Sequence, residues 1–435
     1  MNGYAPNRRR RCCRMNLNDV IPVHPKLEPV LALLDRADHP ENRLRCVHIA
    51  GTNGKGSTAH LIASALAAAG YRVGLYTSPH LLSPCERIKI ITRDGFRCIP
   101  LARITDYLGA DGILHRADVQ GRASFFEQMT ALAFIYFAEQ QVDYAVIECG
   151  LGGELDATNI LQPENVALSV ITNIGMDHCD LLGFTIGDIA RQKAGIIKAG
   201  VPLVVGESGE ESDEVFLQRA QQCGILGEGL ETTGCRIWFA DQCGYLYRER
   251  KKYAAFSPLI ADYEQKNLQT AYVALRALQQ TNATIADGFR YVVTRTGLYG
   301  RFQQMAAQPL TIFDAGHNPA AVAAYIAQLR RMQYSEDGYR RLHIVFGMVA
   351  DKDIDAVLRL LPKDACYYFT QPESERALPA AQMAERWQTV QGNDSLPCTV
   401  CQSARDALHA AQAAADPEDI IFIGGSFYLY SSLFA

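Results

Sequence analysis

The sequence predicts an α/β protein: an N-terminal doubly wound domain of the P-loop type, followed by a smaller Rossmann-like α/β domain. Three observations carry that expectation. Short apolar runs of strand length alternate with longer helix-forming stretches through most of the chain. An early run, Cys46-Val47-His48-Ile49-Ala50, opens into the glycine-rich turn Gly51-Thr52-Asn53-Gly54-Lys55-Gly56-Ser57-Thr58, which leads into the helix formers Ala59 to Ala67 and a stop at Gly70. Polar residues gather where apolar runs end, at Glu148, at Asn173 to His178 and at Asp314 to His317. That edge of an open parallel sheet is where ligands sit.

Length and composition bound the answer. A chain of 435 residues exceeds one ordinary core, so two domains are expected. The hydrophobic share of 48% and charged share of 20% are those of a soluble globular protein, expected in the cytoplasm. A formal charge of −5 gives no reason to expect nucleic acid or an acidic membrane as partner. No apolar run reaches bilayer-spanning length, and no secretory leader is read at the start. Residues 1–14, with Arg8 to Arg11 and Cys12-Cys13, have no apolar periodicity and are expected to be a disordered extension ahead of Met15. The 13 cysteines are scattered, often within apolar runs, as reduced buried thiols are. Cys398 and Cys401 have metal-pair spacing but lack a second pair, and they are read as part of a strand.

In chain order, Met15 to Leu34 is an amphipathic, helical approach to the first strand. After the glycine turn come a strand at Tyr71 to Tyr76 and the segment Thr77-Ser78-Pro79-His80. Arg87 to Ile90 alternates polar and apolar residues, as a half-exposed strand would. A helix from Ser124 to Gln140 precedes the buried strand Tyr144 to Glu148, and Val166 to Ile171 forms the next strand. Between residues 234 and 256, Cys235 to Phe239 and Tyr245 to Tyr247 are expected to make a small antiparallel excursion. A helix over about Tyr263 to Leu278 closes the first domain, assigned to residues 15–296. A turn-rich linker at Thr294 to Arg301 opens the second, residues 297–435. Its strands are Leu310–Phe313, Leu342–Phe346, Cys366–Phe369 and Ile420–Ile423.

The glycine turn is built for phosphate. Successive backbone N–H groups and the helix start present positive potential to an anion. Lys55 adds a point charge, and the hydroxyl of Ser57 or Thr58 is a candidate Mg²⁺ ligand. It is a variant of the common loop: Ile49 stands where the first glycine belongs, and Gly56 separates Lys55 from Ser57. Glu148 ends an apolar strand one sheet position away, where a buried acid is costly unless paired or metal-bound. The glycines at 150, 152 and 153 allow close backbone approach to a ligand. His178, by itself, is more often structural than catalytic, and Lys193 would ordinarily be a solvated helix lysine. Asn318 reads as an N-cap with Pro319 in the first turn, leaving Asp314 and His317 as candidates.

Two long motifs, Gly51-Thr52-Asn53-Gly54-Lys55-Gly56-Ser57 and Val146 through Ile160, make the chain resemble the folylpolyglutamate synthases and bifunctional dihydrofolate synthase/folylpolyglutamate synthases of the Mur ligase superfamily, from about Met15 onward. The resemblance implies an ATP-dependent ligase that adds L-glutamate to a folate, to dihydropteroate, or to both. It implies that Ser57, Ser78, Glu148 and His178 hold two Mg²⁺ ions, and that Lys193 is carbamylated and acts as a metal ligand. Lys55, Lys193 and His178 are the implied catalytic residues. Gly51 to Thr58, Asn267, Arg301, Asp314 and His317 are the implied ATP contacts. Ser78, His80, Phe126, Glu127 and Asp156 fall where the pterin-bearing substrate is held. The order Asp314-Ala315-Gly316-His317 replaces the commoner Asp-Gly-Ala-His of the family and keeps both functional residues in register.

Such a site would phosphorylate a carboxylate to an acyl phosphate before glutamate attacks. Domain closure would exclude the water that destroys such an intermediate. A monomer is expected. The nearest rival is a peptidoglycan-type Mur ligase, disfavoured because only 50 residues precede Gly51. A P-loop nucleotide switch is the rival from another class, disfavoured by the metal-type residues and the second α/β series.

Overall fold

The computed structural model describes residues 26–115, 123–225, 236–243, 256–335, 338–392 and 398–434. Two sheets organise it. The first has eight strands in the order β4-β3-β2-β5-β1-β6-β7-β8. Its members are β1 (Cys46–Ala50), β2 (Val73–Tyr76), β3 (Ile88–Thr92), β4 (Gly95–Cys98), β5 (Tyr144–Glu148), β6 (Val166–Ile171), β7 (Leu203–Val205) and β8 (Ile237–Phe239). From β2 across to β8 every pairing is parallel, while β3 and β4 extend one edge as antiparallel ribbons.

β1 and β5 are central and buried along their whole length, as fully covered parallel strands are. Helices cover both faces. Lys55–Ala68 packs with Glu264–Ala277 and Asn282–Arg290 over one core, and Phe125–Glu139 covers the opposite core. The helix Lys55–Ala68 is buried almost all round, which explains why its sequence shows no polar stripe. Phe125–Glu139 starts with a capping box: Glu127 N–H donates to Ser124 Oγ, and the Glu127 carboxylate accepts from Ser124 N–H.

The second sheet has six strands, ordered β15-β14-β13-β16-β10-β9. They are β9 (Gln303–Ala307), β10 (Leu310–Asp314), β13 (Leu342–Phe346), β14 (Cys366–Phe369), β15 (Cys398–Val400) and β16 (Ile420–Gly424), with β9 antiparallel to β10 and the rest parallel. A short ribbon pairs β11 (Tyr334–Ser335) with β12 (Gly338–Tyr339). Cys398 lies in β15 and Cys401 just beyond it, and both thiols are free. Among the described residues no helix is long and apolar enough to cross a membrane.

Three expectations are corrected. Ile237–Phe239 is not an antiparallel excursion but the parallel edge strand β8, because the helix Glu210–Gln222 carries the chain back so that β8 runs alongside β7. The partner expected at Tyr245 to Tyr247 lies outside the described residues, as do residues 1–14 and the start of the helical approach, of which Glu28–Asp35 is the described helix. β3 is buried rather than half-exposed: Lys89 turns inward and its ammonium donates to the carbonyls of Thr296 at 2.9 Å and Gly297 at 3.2 Å. The segment read as linker begins as a helical turn, Val292–Thr296, ended by Gly297 at φ 65°, where that lysine caps its last carbonyls.

Candidate active site

The carboxyl ends of β1, β5 and β6 and the facing end of β10 enclose a cleft of about 650 Å³. Two glycines set the turn at its base. Gly51 has φ 147°, and a Cβ there would lie 1.8 Å from Thr172 Oγ1. Gly54 has φ 80° as the N-cap of the helix Lys55–Ala68, and a Cβ there would lie 2.1 Å from Asn267 Oδ1. Only glycine fits either position.

The loop is held from beneath and beside. Asn53 N–H donates to Asn173 Oδ1 (2.9 Å), and Thr172 Oγ1 donates to Asn53 C=O (2.6 Å). Lys55 Nζ folds back onto the carbonyls of Gly51 (3.0 Å) and Thr52 (3.2 Å). Lys193 Nζ, from the helix Ile186–Ala194, reaches the same Gly51 carbonyl at 2.9 Å. Two amines therefore share one acceptor, and Lys193 is only 3% exposed. Burial first, and then the Lys55 charge, bring its ammonium down to about 7.

Glu148 leaves β5 with its carboxylate over Gly56, where a Cβ would be 3.5 Å from Oε2, and it accepts from Ser78 N–H at 3.0 Å. Burial raises its pKa, while Lys55 is the main force in the opposite direction. Ser57 Oγ donates to Glu264 Oε1 at 2.6 Å. His178 adopts a left-handed backbone at φ 51°; burial and Lys352 hold its ring neutral-leaning.

The far wall comes from the second sheet. Asp314, at the end of β10, accepts from Phe302 N–H (2.8 Å), Gly316 N–H (2.7 Å) and the Tyr263 hydroxyl. Arg301 lies over the Phe427 ring, 5.4 Å from its centroid, and the His317 ring meets the same phenyl edge-on at 5.2 Å. The two walls also touch: Asn318 Nδ2 donates to Asn53 Oδ1 and to Asp177 Oδ2, both at 3.0 Å, and Lys352 Nζ stands 3.8 Å from Asp177. Burial works against the Asp177 carboxylate, but Lys352, His178 and Asn318 together keep its pKa low. Asn318 is the N-cap expected, its Oδ1 accepting from Ala321 N–H at 2.9 Å.

Residues 49–275 match the Mur ligase middle domain, and residues 300–427 match the glutamate ligase domain of Mur ligases. The chain is 32% identical over 424 residues to the folylpolyglutamate synthase of Lacticaseibacillus casei, covering 93% of this chain and 92% of that one. It belongs to the Mur ligase family. Within it, the chain is also 34% identical over 389 residues to the Escherichia coli dihydrofolate synthase/folylpolyglutamate synthase, covering 87% of this chain and 83% of that one. It spans 48% of a longer Haloferax volcanii relative named as a probable bifunctional folylpolyglutamate synthase/dihydropteroate synthase. The solved structure of E. coli FolC in complex with DHPP and ADP superimposes with TM-score 0.75 at 29% identity, covering 96% of this chain and 94% of that one. A Mycobacterium tuberculosis folylpolyglutamate synthase complexed with ADP gives 0.77 at 28% identity, with 93% of each chain covered.

As a Mur ligase this chain is an ATP-dependent ligase, and its cleft gathers most of the residues singled out from sequence. Gly51 to Ser57, Ser78, Glu148, His178, Lys193, Asn267, Arg301, Asp314 and His317 all line it. Thr58 does not: its hydroxyl is turned into the core beneath the loop. His80 also stands apart, accepting from Arg87 Nε at 2.9 Å, and burial lowers its pKa to about 3. The Phe126 ring packs under Gly150, where a Cβ would meet it at 2.4 Å, and the Glu127 carboxylate closes the capping box. Asp156 is buried below the glycine turn, accepting from Leu151 N–H (2.8 Å), Thr158 N–H (2.9 Å) and Thr158 Oγ1 (2.6 Å).

A divalent cation fits the donor set. Among the described residues no group of three or more His, Cys, Asp or Glu could hold a metal by itself. Mg²⁺, however, takes one or two carboxylates and completes its shell with phosphate and water. Ser57 gives its proton to Glu264, so its oxygen keeps its lone pairs, and Ser57 and Glu148 line the same cleft. Sequence reasoning missed Glu264, Asp177 and Lys352. Only Glu264 left a local signal, an acid three residues before Asn267 on one helix face.

Proposed function

We propose that this chain uses ATP to activate the carboxyl group of a pteroate or folate and joins that carbon to the amino group of L-glutamate. The observation that carries the reading is the meeting of Lys55, Lys193 and Glu148 at one glycine loop, facing Arg301, Asp314 and His317 from the second sheet. A carboxylate is a poor electrophile. Its oxygen attacks the γ-phosphorus, ADP leaves, and an acyl phosphate results. The free amine of glutamate then attacks the carbonyl carbon, phosphate departs, and the amine loses a proton as the amide forms.

The chain's own groups support each demand of that sequence. The loop N–H groups, the helix start and Lys55 bind the phosphates and stabilise the charge that migrates during transfer. Ser57, Glu148 and His178, with Ser78, are the groups that would hold Mg²⁺. When bound, magnesium supplies charge neutralisation and alignment of the phosphoryl oxygens. Asn267, Arg301, Asp314 and His317 take the nucleotide, while the pterin-bearing substrate lies toward Ser78, His80, Phe126, Glu127 and Asp156. Residues 15–296 and 297–435 act as two domains that close on ATP and keep water from the acyl phosphate. The protein works as a cytoplasmic monomer.

Lys193 is the amine to carry a carbamate. A lone pair is needed to attack CO₂, and an ammonium brought down to about 7 supplies one at neutral pH. The product would replace a second cation beside Lys55 with an anion, which removes the conflict at Gly51. The E. coli FolC structure in complex with DHPP and ADP supports a pteroate-type acid as substrate.

The test is ADP release by purified protein with dihydropteroate and tetrahydrofolate as competing acceptors, with and without glutamate. Release that requires glutamate and one of the acids is expected, and the preferred acid tells one activity from two. Nucleotide hydrolysis indifferent to both substrates would overturn the ligase reading in favour of a switch.

A further inference from the structure

We infer that Glu264 is a positioning residue for the nucleotide–metal end of this site, setting the rotor of Ser57 and the amide of Asn267 at once. The inference rests on the reading of Ser57 as a cation ligand. Glu264 is 0% exposed, yet it lies beside the phosphate loop and not in a surface ion pair. Its Oε1 accepts from Ser57 Oγ at 2.6 Å, and its Oε2 accepts from Asn267 Nδ2 at 3.0 Å. One carboxylate thus spans from the first turn of the helix Lys55–Ala68 to the helix Glu264–Ala277.

The hydrogen-bond chemistry leaves little choice. A serine hydroxyl has one proton and two lone pairs. With the proton committed to Glu264, the oxygen can offer its neighbours only lone pairs, the state a hard cation requires. At Asn267, donation from Nδ2 to the carboxylate fixes which end of the amide faces which way. Oδ1 is left over Gly54, on the side where a Cβ would come within 2.1 Å of it. A glutamine could not serve both partners. Its Oε1 can accept from one, but its amide nitrogen would meet the other as donor against donor, and either Ser57 or Asn267 would have to turn. Burial raises the Glu264 pKa, and the hydrogen bonds from Ser57 and Asn267, followed by the Arg301 charge, are what work against that rise and favour the carboxylate.

The experiment is a titration of ADP into purified full-length protein by calorimetry, once with Mg²⁺ and once with a chelator, so that the readout is the metal-dependent increment in affinity rather than turnover. Parent, Glu264→Gln, Ser57→Ala and the double variant are compared, each with a melting curve of the ligand-free protein. Losing one charge-assisted hydrogen bond predicts that Glu264→Gln loses about tenfold of the magnesium increment. Because both changes act on one oxygen, the double variant should lose no more than Ser57→Ala alone. A residue that merely holds two helices together would lower the melting temperature and leave the increment untouched; that result overturns the inference. Additive losses overturn it too. If the parent itself shows no magnesium increment, the cation reading of Ser57 falls and the inference falls with it. A parental increment that survives in Glu264→Gln sinks only the role of Glu264.

Discussion

Removing the amine of Lys193 should stabilise the empty protein while destroying its function. In the fold this ammonium falls from 10.5 to about 7, chiefly through burial and then through Lys55. At about 1.36 kcal/mol per tenfold in proton affinity, holding it charged at or below neutral pH costs roughly 5 kcal/mol. Against that stands its hydrogen bond to Gly51 C=O, worth about 1–3 kcal/mol. Lys193→Met keeps the length of the stem and removes the charge, so the nucleotide-free variant should be more stable at pH 7 by about 2–4 kcal/mol. The pH dependence has a definite sign. Below the folded value both states of the parent bind the proton, and the burden is constant. Between about 7 and 10.5 only the unfolded chain keeps it, so the parent gains about 1.4 kcal/mol per pH unit relative to the variant. Urea unfolding of both proteins from pH 6.5 to 9.5, in buffers free of bicarbonate, measures this directly. A variant less stable than the parent at pH 7, or a gap that does not narrow with rising pH, would refute the argument that this amine is strained.

Other outcomes can be checked on the same protein. Lys193→Ala should lose ligase activity that added short carboxylates partly restore, as a free anion occupies the place of the carbamate; full activity without any additive would show that the modification is idle. Lys55→Ala and Glu148→Ala should each lower turnover by at least about a hundredfold with unchanged far-UV circular dichroism; near-normal turnover removes that residue from the mechanism. Gly54→Ala forces a side chain onto a backbone at φ 80° and toward Asn267, so ADP affinity should fall by about tenfold or more. Parental affinity in that variant would mean that the turn relaxes at no cost.

The parts of this site legible from sequence are those whose causes are local. A strand, a glycine turn and a helix start within about a dozen residues suffice to orient N–H groups, and β1 with its loop follows that pattern. Glu148 was legible because a run of apolar residues announces the strand that carries it, and Asn318 because its cap needs only the N–H of Ala321. What stayed hidden depends on partners far along the chain. β8 has three residues and no strong period, yet a strand that follows β7 through one helix is expected to return parallel, so direction was the readable part and was misjudged. Lys89 looked solvated because alternation reports on the strand alone, whereas its face is closed by carbonyls some two hundred residues later. Lys193 is the sharper case. Nothing in Ala190 to Ile197 distinguishes it from an ordinary surface lysine; what changes its chemistry is burial first, and then the charge of Lys55, which already holds the carbonyl at position 51. A sequence names which groups can ionise, but the proton affinity of a buried one is set by what covers it and then by the charge at its tip, and here that charge is the phosphate loop's own lysine.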